Sequence, residues 1–200
     1  MGAIVRPAAV LLAICLVISA SLAFTYAATK GRIDASEAEE ANGARAEALP
    51  GADFEPVYVM GADEAANIDG FPAVTEIFSA HSPGPDGARQ AAGHVATVVT
   101  YGYGGEVYVI VGVSNDGRIT GVRVSRHSET PGLGANTAKP EYYEQFTGKD
   151  ASLGFSVAKS GAGASEKEIV AVSGATISSD AVAKAVNEAA RAIAEYSQRE

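Results

Sequence analysis

Between Pro7 and Thr29 the chain carries no charged residue, and Ala8 to Ala27 is mostly Ala, Leu, Ile and Val. A run of this kind has few options. About 20 apolar residues, rising ~1.5 Å each as a helix, reach across the ~30 Å hydrocarbon core of a bilayer. In lipid, a helix also satisfies its own backbone N–H and C=O groups. The expectation is one N-terminal transmembrane helix, with residues 1–29 as a membrane anchor that touches lipid through residues 8–27. A cleavable signal peptide is the competing reading, because Ser21-Leu22-Ala23 has the small-x-small form of a cleavage site, although the uncharged run exceeds the roughly 7–15 residues a signal core needs. Arg6 and the amino terminus flank one side and Lys30 and Arg32 the other, so the charge rule is silent on orientation.

Cys15, the only cysteine, lies inside the apolar run after Leu12-Ala13-Ile14. Ile14 is too bulky for a lipoprotein site, and Cys15 reads as a lipid-facing or packing residue. One cysteine allows no internal disulfide, no Cys-based zinc site and no cysteine-ligated iron–sulfur cluster. His127 and Glu129 are close in sequence, but His81 and His94 show no ligand spacing with them, so no metal site is expected. Any redox chemistry must use an imported cofactor. The net charge of −9 argues against a nucleic-acid partner, which would want a basic face. Ten acidic and three basic residues fall between Lys30 and Gly70. That stretch is therefore expected to be a solvated, loosely helical stalk, with an acidic docking surface as the alternative, and residues 30–92 together are taken as the acidic stalk and the N-terminal part of an extracytoplasmic region.

From Gly93 the pattern becomes that of a folded domain, taken as residues 93–200. Residues 94–126 are rich in β-branched residues and Tyr, broken by Gly102, Gly104 and Gly105 and then by Asn115-Asp116-Gly117. The left-handed backbone of a tight turn suits Asn, Asp and Gly, so the second break signals a hairpin. Antiparallel strands are predicted at Val95–Tyr101, Glu106–Val113 and Ile119–Arg126. A short helix is predicted at Pro140–Phe146, and further strands at Leu153–Val157 and Ile169–Val172. A final helix starts near Ser179, with Val182, Val186, Ala189 and Ile193 at helical spacing. The fold class is α+β: antiparallel β-hairpins packed with helices, preceded by the transmembrane helix. There is no βαβ alternation and no glycine loop of the nucleotide-binding kinds.

Two further stretches stand out. In HSETPGLGANT, residues 127–137, Pro131, Gly132 and Gly134 specify a backbone able to wrap closely around something flat. In AVSGATISSDAV, residues 171–182, a strand, a turn without bulky side chains and Thr176 lead into the last helix. That places a hydroxyl near helix-terminal N–H groups, where a phosphate is comfortable, and equally where Ser and Thr cap helices.

Taken together, GYGG at 102–105, HSETPGLG at 127–134 and SGAT at 173–176 resemble the FMN-binding domain family. Within it the match is to the G subunits of Rnf-type ion-translocating ferredoxin:NAD oxidoreductases, whose sisters are the C subunits of sodium-translocating NADH:quinone reductases. The resemblance covers about Gly93 to Ala190. It implies FMN joined by a phosphoester to the hydroxyl of Thr176, delivered from FAD by a separate flavin transferase. Ser173, Gly174 and Ala175 match the motif residue by residue, and their small size admits both transferase and phosphate. Thr130 and Leu133 are implied to contact the isoalloxazine ring, with Glu129, Gly132 and Gly134 shaping the loop. The chain departs from the family pattern at Val170, where an Asp is common, and at Tyr142 and Tyr143, where a Trp is often found.

The resemblance further implies an electron carrier within a membrane-bound Rnf complex, with its FMN domain outside the cytoplasm and the other subunits as partners. Such a carrier has no hydride-donor site or complete active site of its own. The alternatives are the quinone reductase's equivalent of this subunit and, from a different class, a non-redox extracytoplasmic binding domain in which Thr176 only caps a helix.

Overall fold

A computed structural model describes residues 2–60, 70–84, 88–159 and 165–199. The apolar run is part of one continuous helix, α1 (Gly2–Ala48). Leu11, Leu12, Leu16, Val17, Leu22 and Phe24 are exposed along it, and it is the one helix among the described residues long and apolar enough to cross a membrane. The chain divides into two compact units, Met1–Ala41 and Asn42–Glu200, so the last turns of α1 belong to the second unit.

That unit is built on a five-stranded antiparallel sheet in sequential order β1 (Asp53–Val59), β2 (Val74–Pro83), β3 (Arg89–Tyr101), β4 (Glu106–Ser114) and β5 (Ile119–His127). After β5 come α2 (Pro140–Tyr143), a short parallel pair β6 (Ser156–Ala158) and β7 (Glu168–Val170), and the long helix α3 (Thr176–Ser197). The expected α+β class stands.

The alternation in β4 explains the layering. Val107, Val109, Val111 and Val113 share one face and join Val182, Val186, Ala189 and Ile193 of α3 in the main core. Ile110 points the other way, to a second cluster with Val95, Ala80, Ala48 and Leu49. There the end of α1 meets the sheet through its backbone. Gly112 and Gly121 are register partners in β4 and β5, and a Cβ on either would run into the main chain of Ala48. Thr120 Oγ1 donates to the Ala48 carbonyl at 2.6 Å. Arg45, 7% exposed, pairs with Glu76 Oε2 at 2.6 Å and lies 4.0 Å over the Phe78 ring.

The expected boundary at residue 93 falls inside β3; residues 53–59, within the stretch read as a stalk, and residues 74–83, ahead of that boundary, are strands of the same sheet. The β4–β5 hairpin turns on Asn115-Asp116-Gly117 as expected, with Gly117 at φ +75° and its N–H donating to the Ser114 carbonyl at 2.9 Å. The strand expected at Leu153–Val157 is displaced: Ala151–Leu153 is a 3₁₀ turn, Gly154 at φ +69° reverses the chain, and the strand is Ser156–Ala158.

Candidate functional site

The three motifs converge on one end of the domain, around the start of α3. The loop GYGG closes the β3–β4 hairpin, with the Gly102 N–H donating to the Gly105 carbonyl at 2.9 Å. It rests on the backbone that follows β5, so closely that a Cβ on Gly104 would collide with the Ser128 carbonyl. In the next loop the Leu133 N–H donates to the Thr130 carbonyl at 3.2 Å, and Gly132 has φ +78°. Pro131 followed by a positive-φ glycine is the signature of a type II turn. The SGAT loop repeats that chemistry. The Ala175 N–H donates to the Val172 carbonyl at 2.9 Å, and Gly174 has φ +76°. A Cβ on Gly174 would stand 3.3 Å from Leu133 Cδ2, which places the two turns side by side.

Thr176 is the first residue of α3, three positions before the expected start at Ser179. The expected alternative of a Ser/Thr cap is not what starts the helix: the cap position is Ala175, with no side-chain hydrogen bond. Tertiary bonds hold the first turn instead. Ser179 Oγ accepts from the Val172 N–H at 3.0 Å, and the Tyr142 hydroxyl donates to the Ser179 carbonyl at 2.6 Å. Burial drives the Tyr142 hydroxyl well above the ordinary phenol range, so it stays a donor at every physiological pH. Thr176 itself is half-buried, and its hydroxyl makes no hydrogen bond among the described residues.

A cavity of about 460 Å³ opens beside that hydroxyl, within the size range of small-molecule sites. Of the residues singled out in the sequence, Glu129, Thr130, Leu133, Gly134, Gly174, Ala175 and Thr176 line it, whereas Ser173 and Gly132 shape the turns behind it. Tyr103, Ile177 and Ser178 also line it and were not anticipated. Tyr103 sits within the GYGG motif, and Ile177, 58% exposed, is an apolar residue outside the buried stripe of α3. Those two features were the available signals. Tyr103 and Leu133 are likewise exposed at the rim, at 75% and 48%.

Glu129 is buried in the cavity wall, and neither carboxyl oxygen has a hydrogen-bond partner among the described residues. A Cβ on Gly102 would overlap its Oε1, and one on Gly134 its Oε2. The carboxyl thus occupies the space that side chains at both glycines would take. Gly134 is needed for this close approach and not for a positive φ. A hollow of about 640 Å³ near the C-terminal half of α3 is larger, but Asn115, Asp150 and Asn187 in its walls are bonded to the protein itself. The Thr176 cavity is the stronger candidate, because a free hydroxyl and helix-terminal N–H groups border it and the buried, unpartnered Glu129 is part of its wall.

Leu133→Ala and Gly134→Val separate packing against a ligand from integrity of the loop. Leu133→Ala removes exposed apolar surface and is expected to leave the melting temperature unchanged while shifting the absorption of a bound chromophore. Gly134→Val forces a branched side chain into the Glu129 carboxyl and Ser178 Oγ, and is expected to cost about 1–3 kcal/mol. Thermal unfolding and visible spectra of the two proteins check this.

The sequence matches the FMN-binding domain family over residues 102–191. It is 37% identical over 180 residues to the G subunit of the Na(+)-translocating ferredoxin:NAD(+) oxidoreductase complex of Acetobacterium woodii, covering 89% of this chain and 86% of that one. It is 37% identical over 175 residues to the G subunit of the ion-translocating oxidoreductase complex of Methanosarcina acetivorans, covering 86% and 85%. Among solved structures, the C subunit of the Na(+)-translocating NADH-quinone reductase from Parabacteroides distasonis superposes with a TM-score of 0.47 at 26% identity, over 61% of this chain and 63% of that one.

Proposed function

Because this chain belongs to the family of FMN-binding G subunits of ion-translocating oxidoreductase complexes, we propose that it carries electrons within an Rnf-type ferredoxin:NAD oxidoreductase, through FMN esterified to Thr176. The observation that carries this reading is the convergence of GYGG, ETPGLG and SGAT on one cavity beside an unpartnered threonine hydroxyl. The residues fit the cofactor. A flat ring suits the apolar wall of Leu133, Ile177 and Tyr103, and a phosphate suits the N-terminus of a 22-residue helix.

Bound FMN supplies exchange of one or two electrons. The chain supplies the rest. Thr176 offers its Oγ1 for the ester. Ser173, Gly174 and Ala175 keep the approach clear for a separate flavin transferase. Thr130 and Leu133 meet the ring, while Glu129, Gly132 and Gly134 fix the loop that carries them. Helix α1 anchors the chain in the membrane, the flavin domain lies outside the cytoplasm, and the other subunits of the complex are its partners. A covalent link suits that compartment, where a dissociated flavin would not be replaced. Exposure of Tyr103, Leu133 and Ile177 at the rim leaves the ring side open to a redox neighbour.

The test is expression of the full chain together with a flavin transferase. The expected result is a yellow protein that stays in the membrane fraction after salt washing and fluoresces under ultraviolet light in a denaturing gel. A colourless protein sinks the flavin reading in favour of a binding domain. A chain that begins near Phe24 and washes off with salt overturns the anchor.

A further inference from the structure

Glu129 is the one charged residue among those lining the Thr176 cavity. It is 6% exposed, and no cation or hydrogen-bond donor among the described residues answers either oxygen of its carboxyl. Its two oxygens lie where side chains on Gly102 and Gly134 would stand, and Val107 Cγ2 and Ser178 Oγ border those same two positions. The Glu129 backbone N–H donates to His127 Nδ1 at 3.3 Å. Protein interiors keep buried charges paired, because an unpaired one is costly. A side chain that merely filled the space beside Gly102 and Gly134 could be Gln or Met at no such cost.

We infer that Glu129, a buried carboxyl with no partner beside the Thr176 cavity, sets the reduction potential of the flavin there, its carboxylate form holding that potential low. This rests on the flavin reading above. Reduction adds negative charge to the ring system, and in a water-poor wall a fixed carboxylate opposes that more strongly than it would in solvent. The helix N-terminus, which would act in the opposite sense, is turned to the phosphate at Thr176. Glu129 is therefore a positioning and potential-setting residue rather than a catalytic one.

The test uses the full chain in detergent, loaded by a co-expressed flavin transferase and titrated spectroelectrochemically at one pH. Glu129→Gln, of equal size and uncharged, is expected to favour reduction at least tenfold, about 30 mV for a two-electron couple. Glu129→Asp, which keeps the charge, is expected to stay near the unmodified protein. An unmoved potential in Glu129→Gln overturns the inference. If that variant takes no flavin, Glu129→Met replaces it with the same expectation. Failure of both to load in a folded protein assigns Glu129 to cofactor loading and also overturns the inference. In the flavin-free Thr176→Ala background, Glu129→Gln is expected to melt no lower than its parent, and a clear drop would mark the carboxyl as a structural bond instead. Unmodified protein without flavin would sink the functional reading, whereas flavin at an unmoved potential sinks this inference alone.

Discussion

Thr176→Ala is expected to yield a folded but colourless protein, with no flavin surviving denaturation. The ester needs an oxygen on the Cβ at that one position, and nothing else in the cavity replaces it: Ser178 is 1% exposed and Ser173 sits in the turn behind. The fold should not notice. The Thr176 hydroxyl makes no hydrogen bond among the described residues, and Ala at the first position of a helix is well tolerated, so the change in stability should stay within about 0.5 kcal/mol. Fluorescence in a denaturing gel, beside circular dichroism of the same sample, reads both parts. Flavin that survives denaturation in this variant would move the anchor elsewhere.

The largest loss of stability is expected from Phe146→Ala. Phe146 is fully buried, with ring centroids 5.2 Å from Phe155 and 6.0 Å from Tyr142, both edge to face. Truncation removes the transfer energy of the ring and leaves a hole that three different elements would have to close, at a cost of about 3–5 kcal/mol. For a domain of this size that corresponds to a fall in melting temperature on the order of 10 °C. Because Tyr142 also holds the first turn of α3, this variant should bind flavin less uniformly as it loosens. A drop of under ~1 kcal/mol would show that the site collapses far more readily than its packing suggests.

The central strands were legible because they are runs of β-branched residues and Tyr bounded by Gly102, Gly104 and Gly105, and in β4 Val107, Val109, Val111 and Val113 join α3 in the main core. The hairpin after β4 was legible from Asn115-Asp116-Gly117. The first two strands were not. In β2 the ladder slips between Val74 and Glu76 and between Ala80 and His81, so its buried residues do not keep a period of two. In β1, Asp53, Glu55 and Pro56 lie among the acidic residues that read as a solvated stalk. The start of α3 was misplaced because Thr176 and Ile177 lie outside the stripe that marks the helix and Ser178, though buried on it, is polar, while the bonds holding the first turn involve Val172 and Tyr142. At the site, motif order brought the right loops together. No spacing could show that Glu129 occupies the missing side-chain space of Gly102 and Gly134, since that meeting exists only in three dimensions.

Thr176 begins the helix whose buried stripe closes the main core, and this bears on motion. Segments that open independently are those with few buried contacts, whereas elements at the centre of a core open only when the domain unfolds. The residues that follow Thr176 include Ser178, Ser179, Ala181 and Val182, all buried. A cofactor fixed there would ride on the slowest-exchanging part of the molecule. Hydrogen exchange in α3 should then report global unfolding, while the 129–134 loop beside it exchanges sooner. The distance an electron must tunnel to a neighbour would be set by how partners dock, and hardly at all by flexing of the carrier itself.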